Sequence, residues 1–445
     1  MKKTIAILIT IIVLSLALMV SASAAGYRGP AEQLNRLGLF RGTDTGFSLE
    51  RAPTRAEAVT MLVRLLGLEE TAENGSFSHP FTDLVEWQVP YVSLAYEMGL
   101  TTGTSTTTFT PGGACTAQMY VTFVARALGY TDNDVQSTLW AEALIFGRNI
   151  GILDDTLNAT PFLRGHMVAV SYLALYVPTS DGAFDTLLAK LVSDGAVSSS
   201  AAATAVSYLN LINEFNQVGA SFANERSIDL SLKLDMDVVL LGTEMTLSST
   251  METAIIIAGS DVKRAIKYDA PVPMADRSLT GEIYFTDGFA YVNARGMKTK
   301  TSASATSGIS DELLAVNDVV RALAYSTNPI YSICSITKGT QSGLTVYTYA
   351  LSTDNIQSLI DIIVGMMSAT PELAPDEFSG ELKGELNGYI YVNAAGEIVR
   401  MTFVFDTIMK IDGLPMDSGV ELDIDINAIG SSVSITFPAD LNQYQ

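Results

Sequence analysis

The residues able to do chemistry in this chain are few, and their pattern argues for binding rather than bond breaking. Two histidines are present, His79 and His166. Neither stands near a G-x-S-x-G nucleophile motif or a partner at metal-ligand spacing. The cysteines, Cys115 and Cys334, fall in different halves of the chain. Cys334 has no histidine in its own half, which excludes a Cys–His nucleophile there. Paired carboxylates for glycosidic cleavage come together only in the fold, and nothing in the sequence points to a pair. Asp229, Asp235 and Asp237 offer the oxygen ligands that Ca²⁺ takes, but a solvated sheet face accounts for the same alternation. No catalytic residue, metal or cofactor is expected. The group with most to offer a ligand is Arg55. A guanidinium in the first turn of a helix gains nothing from the helix dipole, and its fork can hold a carboxylate with two hydrogen bonds. Since it takes no part in the helix cap, it is expected to matter for binding and not for stability.

The element that positions Arg55 is Phe47–Gly67, FSLERAPTRAEAVTMLVRLLG. Thr54 and Glu57 have the spacing of a capping box, Thr54 accepting from the backbone three residues on and Glu57 reaching back. Pro53 discourages helix before that point. Ala58, Met61, Leu62, Leu65 and Leu66 then form a helical apolar stripe, and Gly67 suits a left-handed helix end. The stretch recurs without a gap 62 residues later as Phe109–Gly129, FTPGGACTAQMYVTFVARALG. Phe47/Phe109, Ala52/Ala114, Thr54/Thr116, Val59/Val121, Thr60/Thr122, Arg64/Arg126, Leu66/Leu128 and Gly67/Gly129 are identical. Such a repeat marks a duplicated supersecondary unit that buries its face only against its neighbours.

A Phe-bearing loop followed by TRAE, and in the second copy preceded by Phe81-Thr82-Asp83, Trp87 and Met98-Gly99-Leu100 with Gly103, resembles the S-layer homology repeat. The resemblance implies an all-α three-repeat module that holds proteins on bacterial cell walls by binding secondary cell-wall polysaccharide. It places polysaccharide contact at Arg55, Glu57, Asp83, Trp87, Gly103 and Arg164. The repeats span about residues 27–68, 77–130 and 132–177. In the first, Ala31–Leu37 is expected to be a helix ending at Gly38. In the second, Asp83 is expected to cap a helix running to Met98, and the third is faint. There Trp140 lies eleven residues before Gly151, much as Trp87 lies twelve before Gly99, and Leu163-Arg164-Gly165-His166 stands where TRAE would be. The second repeat carries Ala117 and Met119 in place of the Arg and Glu, so one or two sites are expected rather than three. Trp87 and Trp140 read first as helix-packing anchors, and as sugar platforms only second. Asp83 and Glu57 read as caps first.

Residues 1–25 carry Lys2 and Lys3, an apolar run from Ile5 to Val20 and Ala22-Ser23-Ala24, the organisation of a secretory signal. With that segment removed, no transmembrane run is expected. The 445 residues are 48% hydrophobic and 17% charged, with a net charge of −22. A core can form, while nucleic acid and anionic membrane, which need a basic surface, are excluded as partners. Residues 179–218 read as a helical connector. Phe184–Val192 and Ala201–Phe215 have helical spacing, and the Ser/Ala-rich run Ala196–Ala205 reads as a boundary.

From residue 219 the period changes to two. Ile228, Leu230, Leu232, Leu234, Met236 and Val238 alternate with Asp229, Ser231, Lys233, Asp235 and Asp237, and Val420–Asn427 repeats the pattern. Further strands are expected near 243–257, 278–285, 289–293, 330–337, 344–350, 379–392 and 399–411. Turns are expected at Asp287-Gly288, Asn387-Gly388 and Ala395-Gly396, and helices at Ser310–Tyr325 and Asn355–Met367. The predicted domain, 219–445, is a curved antiparallel sheet or half-barrel with a few helices, which makes the chain multidomain α+β. With FTDGFAYVNARGMKTK early and GYIYVNAAGEIVRMTFVFD late, it resembles the LolA-like lipoprotein-carrier fold, which implies an apolar cavity able to hold acyl chains. Met366-Met367 suits an adaptable lining. The expected function is therefore that of an exported, non-enzymatic surface protein held on the cell wall, whose sheet domain takes a lipid or other apolar ligand. The alternative is a wall-tethered hydrolase acting through Asp or Glu of that domain.

Overall fold

The computed structural model describes residues 27–43, 46–154, 157, 160–240, 243–258, 261–271, 278–294, 296–302, 331, 333–351, 378–411 and 414–444. The signal segment, both helices expected at 310–325 and 355–367, and the Met366-Met367 pair lie outside them. The chain divides into two compact units, Gly26–Asn210 and Leu211–Gln445.

The first unit is helical: α1 Arg28–Arg36, α2 Arg55–Leu65, α3 Glu69–Asn74, α4 Val89–Glu97, α5 Ala117–Ala127, α6 Leu139–Asn149, α7 Arg164–Ala174 and α8 Leu187–Ser193. The capping box forms as its residue types dictate. Thr54 Oγ1 accepts from Glu57 N at 3.3 Å, and Glu57 Oε2 accepts from Thr54 N at 2.8 Å. Gly67 is left-handed at φ 68°, and a Cβ there would stand 2.3 Å from that of Ala196. Leu62 and Leu65 of α2, Tyr120 of α5 and Tyr172 of α7 are fully buried. Tyr120 shares a 2.6 Å hydrogen bond with Ser171, which joins α5 to α7. Apolar stripes on successive repeats thus cover one another.

A ninth described helix, α9 Ser199–Ala223, follows. Residues 199–205 of the Ser/Ala-rich run read as a boundary form its first turns, as alanine's high helix propensity favours, with Ala202 and Ala205 buried.

The second unit is one antiparallel sheet with strands β1 Ile228–Leu240, β2 Thr243–Ala258, β3 Asp261–Pro271, β4 Ser278–Thr286, β5 Phe289–Ala294, β6 Met297–Ser302, β7 Ile333–Gln341, β8 Leu344–Leu351, β9 Phe378–Val392, β10 Ile398–Ile411 and β11 Leu414–Ile429. Their order is β6-β5-β4-β3-β2-β1-β11-β10-β9-β8-β7. Two meanders therefore meet where the first strand pairs the last, with Leu232 opposite Ile424 and Lys233 opposite Asp423. That register stacks the alternating aliphatic positions of β1 and β11 on one face, where Leu230, Leu232, Leu234, Met236, Val420, Leu422 and Ile424 are buried. Phe215 of α9 packs on it, 5.6 Å from Tyr347 and 4.9 Å from Tyr349 between ring centroids. Beside it Glu214 accepts from Lys338 Nζ at 2.5 Å and Tyr347 OH at 2.7 Å. On the opposite face of β4 and β5, Tyr284 and Tyr291 form a small cluster with Phe437, Leu441 and Tyr444.

Two differences from the sequence reading have physical causes. Asn387-Gly388 is not a turn but lies inside β9, with Gly388 paired to Tyr349 on one side and Phe403 on the other. The Tyr349 ring lies over Gly388, where an added Cβ would meet it at 2.4 Å, so glycine here makes room for an aromatic. Strand β3 escaped notice because Arg264, 1% exposed, sits on the apolar face and breaks the alternation.

Candidate functional site

The TRAE helix starts are built into the neighbouring repeats. The backbone N–H of Arg55 donates to Gly113 O at 2.8 Å and that of Ala56 to Pro111 O at 3.1 Å. Its side chain follows: Nε donates to Phe109 O at 3.0 Å, Nη2 to Thr102 O at 3.1 Å, and the guanidinium lies 4.7 Å from the Phe109 ring centroid. The third repeat docks on the first in the same way. Arg164 N donates to Arg51 O and Gly165 N to Leu49 O, each at 2.9 Å, while Arg164 Nε donates to Phe47 O at 3.2 Å. Gly113 and Pro111 are the residues 62 positions after Arg51 and Leu49, as Phe109 is after Phe47. The two junctions therefore share one register of contacts. Each receiving loop has a left-handed non-glycine residue at the same place, Ser48 at φ 51° and Thr110 at φ 59°. Strain at such a residue persists only where its surroundings hold it, and here the inserted arginine supplies part of that hold. At the start of α5 the arginine is replaced by Ala117, and Gln118 Nε2 instead donates to Trp140 O at 2.6 Å.

Arg55 is 6% exposed and Arg164 7%. Burial pulls both guanidinium groups below their ordinary pKa. Cys115 and Asp83 oppose it for Arg55; for Arg164, Glu57 opposes it while Arg51 and Arg64 add to it. The expectation that Arg55 is a free fork, dispensable to the fold, is corrected: it holds two repeats together. Its first-turn position has a structural reason the dipole argument missed, since carbonyls of the next repeat lie within its reach.

Asp83 does not cap a helix. Gln88 stands before α4, and the Asp83 carboxylate instead accepts from Phe109 N at 2.8 Å and Thr110 N at 2.7 Å. Desolvation works against its charge, but those two bonds and the nearby Arg55 hold it below the usual carboxylate range. Asp83 and Arg55 thus grip opposite sides of Phe109, one at its N–H and the other at its carbonyl. Glu57 is pulled up by desolvation and down by more through Arg51, at 2.6 and 3.0 Å, and the Thr54 N–H. Gly103 lies in the same loop, where a Cβ would meet Ser105 O at 2.3 Å and Phe81 at 2.6 Å, so it serves packing. Trp87 and Trp140 are not packing anchors: they are 51% and 45% exposed. Trp87 stands on the turn four residues after Asp83, and Trp140 in the first turn of α6. Side chains this exposed leave aromatic surface on which a flat, partly apolar ligand face could lie.

Sequence reasoning singled out the arginines, Asp83 and the tryptophans, but gave Asp83 a helix cap and the tryptophans a packing role that the structure does not bear out. It missed the receiving loops, although the Phe47/Phe109 identity at the repeat offset was their signal.

Residues 80–116, which include Asp83, Trp87, Gly103 and the Phe109 loop, match the S-layer homology domain family. The chain is 30% identical over 192 residues to a cell surface protein of Thermoanaerobacter kivui, covering 40% of this chain and 25% of that protein. It is 33% identical over 91 residues to an endoglucanase of a Bacillus species (strain KSM-635), covering 20% of this chain and 9% of the enzyme. The chain thus spans a quarter or less of these relatives. Among solved structures, LprF from Mycobacterium bovis is similar at 14% identity and a TM-score of 0.31, covering 52% of this chain and 97% of that one. The open antiparallel sheet with helices is the α+β fold class expected from the sequence. The family match and the surface-protein relative mark the chain as a secreted surface protein associated with the cell wall. Among the described residues no helix is long and apolar enough to cross a membrane.

Proposed function

We propose that the helical unit, residues 26–178 in the sequence reading, holds this protein on the wall by binding an acidic secondary cell-wall polysaccharide at its repeat junctions. The observation that carries the reading is the junction built twice in one register with a buried arginine beneath the loop, together with an exposed tryptophan, Trp87, four residues along the chain from Asp83 of the Arg55 junction. A polymer with carboxylate substituents meets a positive field from groups already desolvated, and an indole gives a sugar ring a face to lie on. Arg55, Asp83, Glu57, Gly103 and Arg164 then set the shape of the binding loops, while Trp87 supplies direct contact. Two arginine-bearing junctions support two sites, and Ala117 leaves the third without its cation.

The test is cosedimentation of the protein with purified wall sacculi, intact or stripped of non-peptidoglycan polymer. Binding to intact walls alone is expected. Trp87→Ala is expected to weaken it about tenfold or more, as loss of an aromatic anchor does, with the unfolding midpoint unchanged because the side chain is half exposed. Equal pelleting with stripped walls, or undiminished binding by Trp87→Ala, would overturn the reading.

For the sheet unit we read a non-enzymatic role in binding a lipid or other apolar ligand. Met236, Met251 and Met401 are buried on the same apolar face, and unbranched thioethers repack around varied shapes. A fluorescent fatty-acid probe is expected to saturate near one equivalent and to be displaced by unlabelled lipid. A folded protein that takes up no probe would leave a protein-contact role. The endoglucanase relative keeps a hydrolase as the second reading, which glycan turnover by the purified chain would favour.

A further inference from the structure

The first and third repeats reach back to their helix starts with different acceptors. In α2 the capping group is the Glu57 carboxylate. In α7 the same position holds His166, whose Nδ1 accepts from Leu163 N at 2.9 Å. The ring is 7% exposed, edge-on to Tyr27 with centroids 5.1 Å apart and tilted against Phe162 at 5.6 Å. We propose that His166 makes the Arg164 junction a pH-sensitive joint, closed while the imidazole is neutral and loosened when it takes a second proton.

Only an unprotonated ring nitrogen can accept a hydrogen bond. Protonation at Nδ1 converts the acceptor into a donor facing another donor, the Leu163 N–H. It also places a positive charge at a helix N-terminus, where the dipole is already positive. The two residues after Leu163 carry the backbone half of the junction, Arg164 N to Arg51 O and Gly165 N to Leu49 O. Cap and junction are therefore one turn of chain, and opening the first frees the second.

The charged neighbours decide the direction. Burial opposes the imidazolium and is the larger effect, Asp154 favours it, and the pKa lies below the ordinary histidine value. Arg164 adjoins it on its own helix, and Arg51, paired with Glu57, lies across the junction. Tyr27 and Phe162 pack on the ring without a formal charge. A group whose folded pKa is depressed contributes stability that is complete above its unfolded pKa, about 6.5. That stability falls as pH drops below this value and levels once the folded form is also protonated. The Glu57 cap at the Arg55 junction has no such transition in this range, because its carboxylate remains an acceptor. Acid therefore acts on one cap of the two.

Hydrogen exchange on the full-length chain tests this without any ligand. Between about pH 7.5 and about pH 5, after correction for the intrinsic rate, protection at Leu163, Arg164 and Gly165 is expected to fall severalfold. Protection at Thr54, Arg55 and Ala56 is expected to hold. His166→Gln, which keeps an acceptor that does not titrate, is expected to abolish the change. Unaltered protection in the unmodified protein at about pH 5, or the same loss in His166→Gln, would overturn the proposal. Should that variant fail to fold, an NMR titration of His166 in the unmodified protein decides: a midpoint at or above about 6.5 overturns it. The consequence for wall retention rests on the polysaccharide reading. Partial release in acid is expected, and its absence alongside a positive exchange result would count against that reading and not against the joint.

Discussion

Arg55→Ala is expected to destabilise the helical unit by about 4 kcal/mol, from the loss of two hydrogen bonds from a charged donor and a buried cation–π contact. The cost is large because the loop it enters is left with unpaired carbonyls at Phe109 and Thr102. Both tryptophans of the chain, Trp87 and Trp140, lie in this unit, so denaturant unfolding followed by tryptophan fluorescence reports on it directly. The midpoint is expected to drop with the slope unchanged. Wall binding is expected to fall as well, because the loop that Asp83 and Arg55 grip loses one of its two holds. Arg55→Lys, a point charge in place of a planar fork, is expected to recover only part of the stability. An unchanged midpoint for Arg55→Ala would mean that the observed contacts hold nothing, and would return the residue to a ligand-only role. Comparison with Trp87→Ala separates the two effects, since that variant is expected to lose binding with the midpoint intact.

The second large effect is expected in the sheet unit. Phe215 is 5% exposed and packs against two tyrosines of β8. Phe215→Ala is expected to cost about 3–5 kcal/mol, the usual range for emptying an aromatic site that cannot collapse. Strand β8 is paired on both sides and its Tyr349 fills the space over Gly388, so the site has little freedom to close. Exchange protection of β8 and β9 amides measures the loss locally, which matters where a two-unit chain need not unfold in one step. Phe215→Leu, closer in volume, is expected to cost less. If both variants leave β8 and β9 as protected as before, α9 does not stabilise the sheet.

Local sequence determined a good deal about this protein. The capping box at Thr54 and Glu57 and the left-handed Gly67 are consequences of interactions a few residues long, and the period-two patterns at Ile228–Val238 and Val420–Asn427 are legible from the local order of residue types. The ungapped recurrence at an offset of 62 residues identified the repeat, and with it the S-layer homology resemblance. What needed the tertiary structure was every partner distant along the chain. Nothing near Arg55 says that its guanidinium meets Phe109 and Thr102. Nothing near Asp83 says that it binds the amides of Phe109 and Thr110 rather than its own helix. The exposure of Trp87 and Trp140 was misjudged because average burial describes a residue type and not a place in a fold. Asn387-Gly388 carried a turn signal that lost to long-range pairing, with β10 and Tyr349 of β8 holding β9 extended through it. Local rules specify a segment when its hydrogen bonds close within the segment. At these repeat junctions and sheet pairings they close against residues dozens of positions away, so the outcome belonged to the fold.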